Sequence, residues 1–399
     1  MDGRCVAVAC LGAVGALVAG CGSSGSVTPM PDADADAAPD GPDHSGVPDT
    51  IITRAPMKAV FPGDPVTYEF ASVPPGAAFE CGGFVIVAGP IVDDPVTFTA
   101  CTSPYTTTAL PGVHVFEVRA RDADGDVDPT PAIHSYTGVS ASYMRLMVGD
   151  LTSGNLQAYE DPGTHIFKGL HPSIAMIQEL NVGDNTPATI RNWVDTAFGT
   201  NFEFFREASG SIPNGIISSH PILASGSWED TQNPDCGFAY ARIDVPGPRD
   251  LWAISVHLLP DDTKRPAEAT ELVGFINANV PAGDYLVIGG DFNSASRTEA
   301  AITTLGQVVD IAAPFPVDQG GNSDTDSARS KPYDWLMLDP DLKALQVPVT
   351  IGAASFPDGL VFDSRVYTPL ADVPPVQLGD SRALNMQHMG VVKEIRLRP

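Results

Sequence analysis

Five apolar runs between residues 142 and 399 carry, at an end or near one, a side chain that can move a proton or hold a cation. SIAMIQE closes on Glu179, LWAISVHLL carries His257, YLVIGGDFNS passes from Gly-Gly into Asp291 and Asn293, YDWLML opens with Asp334, and QHMGVV opens with His388. Each residue alone has a bland explanation. A strand-end carboxylate caps a helix or meets solvent, and a lone strand histidine is hydrogen-bonded in the core. Five such runs in one domain instead predict convergence on a single polar cluster at a sheet rim, the place for catalysis rather than packing. Carboxylates grouped there suit a hard divalent cation, and an imidazole beside a carboxylate suits general acid or base work. The spacing of Asp291 and Asn293 predicts that both side chains leave an extended strand on the same side.

The elements that carry these residues occupy about Ser142 to Pro399, long enough for one large α/β domain. In order they read RLMVGDLTSGN, IQE, NGIISSHPI, SVHL, GGDFNS, YDWLML and QHMGVV. That series resembles the endonuclease/exonuclease/phosphatase superfamily of metal-dependent phosphoesterases. GDFN after an apolar strand is the most specific of the motifs, and the resemblance spans residues 142–399. It implies a four-layered α/β sandwich, two mainly antiparallel sheets face to face with helices outside and the active site at one rim. It also implies Mg²⁺ (or Mn²⁺) on Glu179, Asp291 orienting or deprotonating the attacking water, and Asn293 donating to the phosphate. His388 would bind phosphate or assist the water with Asp334 fixing its tautomer, and His257 would be the second phosphate-facing imidazole. Asn214 is expected to contact substrate. Arg206 is either a phosphate clamp or a surface arginine.

Two positions depart from the family pattern. Asp150 stands where the family has Asn, and Gln387 stands where it has Asp before the last histidine. One change adds a carboxylate and the other removes one. Asp150 is therefore expected to take over metal duty lost at Gln387. The rival is a degraded site in a surface-tethered binding or adhesion protein.

Charge narrows the substrate. The chain of 399 residues has 22 Lys+Arg against 49 Asp+Glu, a net charge of −27, which argues against broad attraction to polyanions. Within residues 142–399 the count is 17 against 32, so any phosphate must be met by a metal or a local cation. The preferred reading is a nuclease-like phosphodiesterase acting on a phosphoester, nucleic acid outside the cell included. Small or lipid phosphoesters, hydrolysed by a phosphatase- or phospholipase-type enzyme, remain the alternative. No protein partner can be inferred.

The N-terminal part predicts export. Residues 1–20 read as a lipoprotein signal peptide, with the apolar run VAVACLGAVGALVA followed by LVAGC, whose Cys21 would carry the lipid. The chain is thus expected as a bacterial lipoprotein at the outer membrane or cell surface, on the periplasmic or extracellular face, touching membrane only through that anchor. Residues 21–50, rich in Asp, Ala and Pro, cannot bury enough apolar surface to offset ordering and read as a disordered tether. Residues 51–139 alternate polar and apolar in short runs, VTYEFAS and VHVFEVRARD among them, and predict a small β-sandwich. The stretch around FECGG and CTSPYTTTALPGVHVFEVRARDADGDVD resembles bacterial Ig-like repeats. Once Cys5, Cys10 and Cys21 are set aside, an oxidising compartment permits a Cys81–Cys101 disulfide and leaves Cys236 as an inert thiol. The acidic turn Asp122–Asp128 offers oxygens for Ca²⁺ but lacks the bidentate glutamate of a calcium loop, so a hydrogen-bonded hairpin is preferred.

Overall fold

The computed structural model describes residues 47–86, 96–208 and 210–397. The signal segment and nearly all of the tether lie outside the described residues. From Pro48 to Pro399 the chain clusters as one unit, within which two hydrophobic regions are separate.

The first region is built from strands alone. β1 (Asp49–Arg54), β3 (Pro65–Val73) and β6 (Tyr105–Thr108) form one sheet; β2 (Ala59–Val60), β8 (Ala132–Gly138), β7 (Gly112–Arg121), β4 (Ala78–Ile86) and β5 (Thr99–Cys101) form the other. Alternation along β3 sends Val66, Tyr68 and Phe70 inward to meet Phe116, Val118 and Tyr136 of the opposite sheet. The two sheets therefore enclose one small core, as the alternating runs predict. Cys81 on β4 and Cys101 on β5 are disulfide-bonded, as expected, with Cα atoms 5.7 Å apart. In the acidic turn, Asp122 Oδ1 accepts from the backbone N–H of Asp124 and of Asp126. Asp128 Oδ1 accepts from the N–H and hydroxyl of Thr130. These carboxylates close a hairpin, which is the preferred of the two readings. Where the two regions meet, the Arg396 guanidinium lies 4.3 Å from the Phe61 ring centroid.

The second region follows in chain order: β9 (Ser142–Gly149), α1 (Asp161–Leu170), β10 (Ile174–Ile177), α2 (Pro187–Ala197), β11 (Glu203–Arg206), β12 (Gly215–Ser218), β13 (Ile222–Trp228), β14 (Phe238–Ile243) and β15 (Leu251–His257). Then come α3 (Arg265–Asn279), β16 (Tyr285–Asp291), α4 (Ala300–Leu305), β17 (Asp334–Leu338), α5 (Pro340–Lys343), β18 (Gln346–Val347), the hairpin β19 (Val349–Ile351) and β20 (Ala354–Phe356), β21 (Leu360–Phe362) and β22 (Gly390–Leu397). One sheet has the order β11-β12-β10-β9-β22-β18 with β21 also paired to β22; the other has the order β13-β14-β15-β16-β17. Each sheet contains a single parallel pair, β9 with β10 and β15 with β16, and is otherwise antiparallel.

Three apolar layers hold these sheets. Between them lie Leu146, Val148 and Ile174 of the first sheet against Ala253, Val287 and Leu336 of the second. Outside the first, Phe167 of α1 and Trp193 of α2 cover Met147 and Ile177. Outside the second, Leu272 of α3 and Ile302 of α4 cover Ile254 and Ile288. The order helix, sheet, sheet, helix follows, because each sheet is apolar on both faces and each helix on one.

The Gly-Gly of β16 has a steric reason. A Cβ at Gly290 would stand 1.9 Å from the Val256 carbonyl oxygen of β15, and one at Gly289 would stand 3.1 Å from the Met176 side chain of the facing sheet. Glycine at both lets β16 sit close to its neighbour and to the opposing layer, which fixes the end of β16 at the rim.

Candidate active site

Strand direction gathers the polar residues. β9, β10, β15 and β16 end at one rim with Asp150 and Glu179 just beyond the first two, and His257 and Asp291 as the last residues of the others. β17 and β22 run the opposite way and begin there, with Asp334 at the start of β17 and His388 two residues before β22. Register makes the meeting specific: His257 is paired with Asp291, and Asp291 with Asp334, across β15, β16 and β17. All six side chains are buried.

The contacts form a chain. The His388 ring donates from Nδ1 to Asp334 Oδ2 at 3.0 Å and places Nε2 3.8 Å from Asp291 Oδ2. His257 Nε2 lies 3.3 Å from the same Asp291 oxygen, and its Nδ1 lies 4.0 Å from Asp150 Oδ2. Asp291 therefore stands between two imidazoles, and its other oxygen accepts from the Asn293 N–H at 2.7 Å. Glu179 accepts from the Thr152 hydroxyl at 2.9 Å and from the Gln157 amide.

Burial sets the electrostatics. It raises Asp150 well above the usual carboxylate range, and the nearby Glu179, Asp291 and Asp334 add to the rise, while His388 opposes it. Burial likewise raises Glu179 and Asp291. For His388 burial works downward, but Asp334, Asp291 and Asp150 outweigh it and hold the imidazole well above its ordinary value. Burial lowers His257, with Asp291 acting against it. One imidazole is thus kept charged by carboxylates and the other is kept neutral.

The donor set fits a hard cation. Two groups have ligand atoms all within 4.8 Å of one another, Asp150 with Asp291 and His388, and Asp150 with Glu179 and His257. Asp150 belongs to both, and its Oδ2 is buried with no hydrogen-bond partner. An orphaned buried carboxylate oxygen among like charges is what a divalent ion relieves. The Asp122–Asp128 turn is not among the convergent groups found in the described residues.

Three expectations meet a different geometry. β16 ends at Asp291, and Asn293 lies past it with φ of 48°, its Nδ2 donating to the Leu258 carbonyl at 2.8 Å. The same-side argument for an extended chain therefore does not apply to Asn293, which braces the loop after β15. Arg206 donates to the Leu180 carbonyl at 2.6 Å, the Glu207 carbonyl at 3.3 Å and Asn181 Oδ1 at 3.1 Å. Its guanidinium ties β11 to the segment after Glu179, a structural role rather than a phosphate clamp. Asn214 stands just before β12, beside the end of β10, but is fully buried, with Nδ2 donating to the Gly237 carbonyl at 2.8 Å and Oδ1 unpartnered.

Gln387 is exposed, unlike the six clustered residues, and its carbonyl accepts from the Ser327 N–H at 2.7 Å. Cys236 is buried against the His257 carbonyl, and burial pushes its thiol far up, which agrees with an inert thiol.

Supporting residues were not legible beforehand. The Tyr159 hydroxyl donates to the Gly149 and Gln178 carbonyls at 2.8 and 3.1 Å, pinning the ends of β9 and β10 together. Gln178 Nε2 donates to Ser255 Oγ at 2.9 Å and links the two sheets. The Thr325 hydroxyl accepts from the Asp334 N–H at 2.7 Å. Glu179 itself has φ of 52°, a left-handed conformation that costs of order 1–3 kcal/mol in a non-glycine residue and turns the carboxylate toward the cluster. Only Thr152, two residues beyond Asp150, carried a positional signal.

No protein-family model matches the chain, and no curated protein matches it. Solved structures do resemble it. A humanized D. rerio TDP2 carrying 14 mutations is 14% identical over 64% of this chain and 99% of that one, with a TM-score of 0.40. An endonuclease/exonuclease/phosphatase from Bacteroides vulgatus is 14% identical over 64% of this chain and 100% of its own, at 0.43. A variant of the 3′ phosphatase NExo from Neisseria, bound to a product DNA hairpin, is 14% identical over 63% and 99%, at 0.42. At such identities and TM-scores these likenesses assign no activity.

Proposed function

We propose that the chain is a metal-dependent phosphoesterase, most simply a nuclease-like phosphodiesterase. The observation that supports this reading is the convergence of Asp150, Glu179, His257, Asp291, Asp334 and His388 at one buried rim, with an unpartnered carboxylate oxygen at its centre. Asp150 and Glu179 would hold Mg²⁺ or Mn²⁺, and when bound the ion neutralises charge on the phosphate and on the leaving oxygen.

The chain's own residues then divide the proton work. Asp291 Oδ2 accepts a hydrogen bond or proton from the attacking water, since Oδ1 is engaged by the Asn293 N–H. Asp334 holds the Nδ1–H of His388, so Nε2 points toward Asp291 and donates to a phosphate oxygen when charged. His257, kept neutral by burial, supplies the second ring nitrogen. Asn214 keeps Oδ1 as its one free atom, an acceptor for a hydroxyl of the substrate rather than for its phosphate. The compensation between Asp150 and Gln387 belongs to the same reading: Asp150 supplies the carboxylate that Gln387 lacks.

The rest of the reading rests on the N-terminal sequence: export, a lipid on Cys21, a tether and an Ig-like spacer that hold the enzyme at the outer membrane or cell surface. Calorimetric titration of the full chain with Mg²⁺ and Mn²⁺ tests the site. Saturable binding weakened about tenfold or more in Glu179→Gln is expected. Absence of binding would favour a tethered binding protein with a lost site. Asp150→Asn and Gln387→Asp, singly and together, test compensation; strictly additive effects on metal affinity would contradict it.

A further inference from the structure

Past the end of β13 the chain meets the start of α3, and two carboxyl groups come together there that the proton work above does not use. Asp230 is 5% exposed, and Glu268, in the first turn of α3, is fully buried. Backbone donors fix both. Asp230 Oδ1 accepts from the N–H of Gln232 at 2.8 Å and of Asn233 at 3.2 Å, and the two oxygens of Glu268 accept from the Leu259 N–H at 3.0 and 3.2 Å. The two carboxyls also stand in hydrogen-bond contact with each other. An ionised carboxylate only accepts, so that contact requires a proton on one of the two.

The surroundings favour keeping it. Glu271, one turn further along α3, accepts from the Thr231 N–H at 3.0 Å and adds negative charge beside Asp230. Arg265 is a buried cation of the same corner, but it donates to the Leu259 and Pro260 carbonyls at 3.1 and 2.8 Å and pairs with Glu299 at 2.8 Å. The Cys236 thiol, 3.2 Å from Asn233 Nδ2, is held protonated by burial. Asp235 is exposed and accepts from the Ser211 hydroxyl, and Glu229, Asp261, Asp262 and Lys264 are exposed as well. Burial and the Asp230 charge outweigh Arg265 and raise Glu268 to about 8. Burial raises Asp230 too, so the pair keeps one proton through the neutral range.

We propose that Asp230 and Glu268 share one proton and act as a pH latch that clasps the 229–236 loop to α3. When the proton leaves to solvent, two carboxylates face each other and the loop separates from the helix. The loop reaches the candidate site from behind, because Asn233 Nδ2 donates to the His257 carbonyl at 3.3 Å. Neither carboxyl has a partner among the six clustered residues, and the latch does not depend on the phosphoesterase reading. With the loop open, Glu268 returns to an ordinary value of about 4.3. The closed loop binds the extra proton between that value and about 8, so the closed-to-open ratio falls about tenfold per pH unit across this range and levels off above it.

The test is hydrogen exchange of the full chain at pH 7 and 9.5, corrected for the intrinsic rate at each pH and read against the amides of β14. The amides of Thr231, Gln232 and Asn233 should lose about tenfold in protection between the two pH values. Glu268→Gln keeps the acceptor for Leu259 and offers Asp230 a permanent N–H, so its loss should be less than about twofold. Asp230→Asn donates from the other side of the pair and should behave alike, which keeps the test open if the first variant does not fold. Protection that does not change with pH in the native protein, or a tenfold loss that persists in either variant, would overturn the proposal.

Discussion

Replacing Lys393 by methionine should stabilise the protein, and by an amount that depends on pH in a defined direction. Met occupies a similar volume, belongs in the surrounding layer of Val391, Ile395 and Leu336, and carries no charge. In the folded chain burial lowers the lysine from 10.5 to about 7. The unfolded chain keeps its proton up to about 10.4, so between these limits the unfolded state binds more protons and stability rises with pH. Below about 7 both states are protonated and the whole penalty is present. At about 1.36 kcal/mol per pK unit, the gap corresponds to roughly 4–5 kcal/mol. Relaxation of the surrounding side chains brings the expected gain for Lys393→Met to about 2–4 kcal/mol at pH 6.5. By pH 9.5 the same linkage leaves about 1 kcal/mol. Urea unfolding of both proteins at pH 6.5, 8 and 9.5 reads the difference directly. A difference that does not shrink as pH rises, or a methionine variant less stable at pH 6.5, would refute the account of Lys393 as a buried cation whose desolvation outweighs the pull of Asp310 and Asp358.

Asp334→Asn removes the carboxylate 3.0 Å from His388 Nδ1. The imidazole should lose its proton at lower pH in an NMR titration, and turnover should fall by about 10²–10⁴ with the fold retained; an unmoved histidine titration would separate Asp334 from that role. Arg206→Met should lower thermal stability, because three carbonyl-type acceptors lose their donors, while leaving KM for a phosphodiester within about twofold; a large rise in KM would restore the phosphate clamp. Cys236 should resist a thiol reagent at pH 8 in the native protein and react fully in urea, since burial holds the thiol protonated; fast native reaction would show an accessible thiolate.

The converging residues were readable because they stand where apolar runs stop, and the small N-terminal sandwich because its runs alternate with period two; the layer order of the larger region came only from the resemblance of the motif series. His257, Asp291 and Asp334 could be anticipated as neighbours because parallel and antiparallel strands bring their ends to the same rim. Beyond the last strand residue this logic fails. Asn293 and Glu179 adopt left-handed conformations, and a change of sign in φ redirects a side chain in a way that spacing cannot foresee. Arg206 illustrates another limit: a guanidinium looks available in sequence, but here its acceptors are carbonyls up to 26 residues away along the chain. Lys393 left no trace in the pattern VVKEIRL, where one lysine in a strand reads as an outward-facing charge. Only the pairing of β22 with β9, which fixes Val391 and Ile395 inward, shows which way it points.

The central claim is tested most directly by hydrolysis of bis-p-nitrophenyl phosphate, alongside duplex DNA and single-stranded RNA, by the full chain with Mg²⁺, Mn²⁺ or chelator, beside Asp291→Asn. The account predicts turnover with metal, loss in chelator, and a fall of about 10²-fold or more in the variant. Turnover that persists in chelator or in Asp291→Asn, or none on any substrate with metal bound, would contradict it.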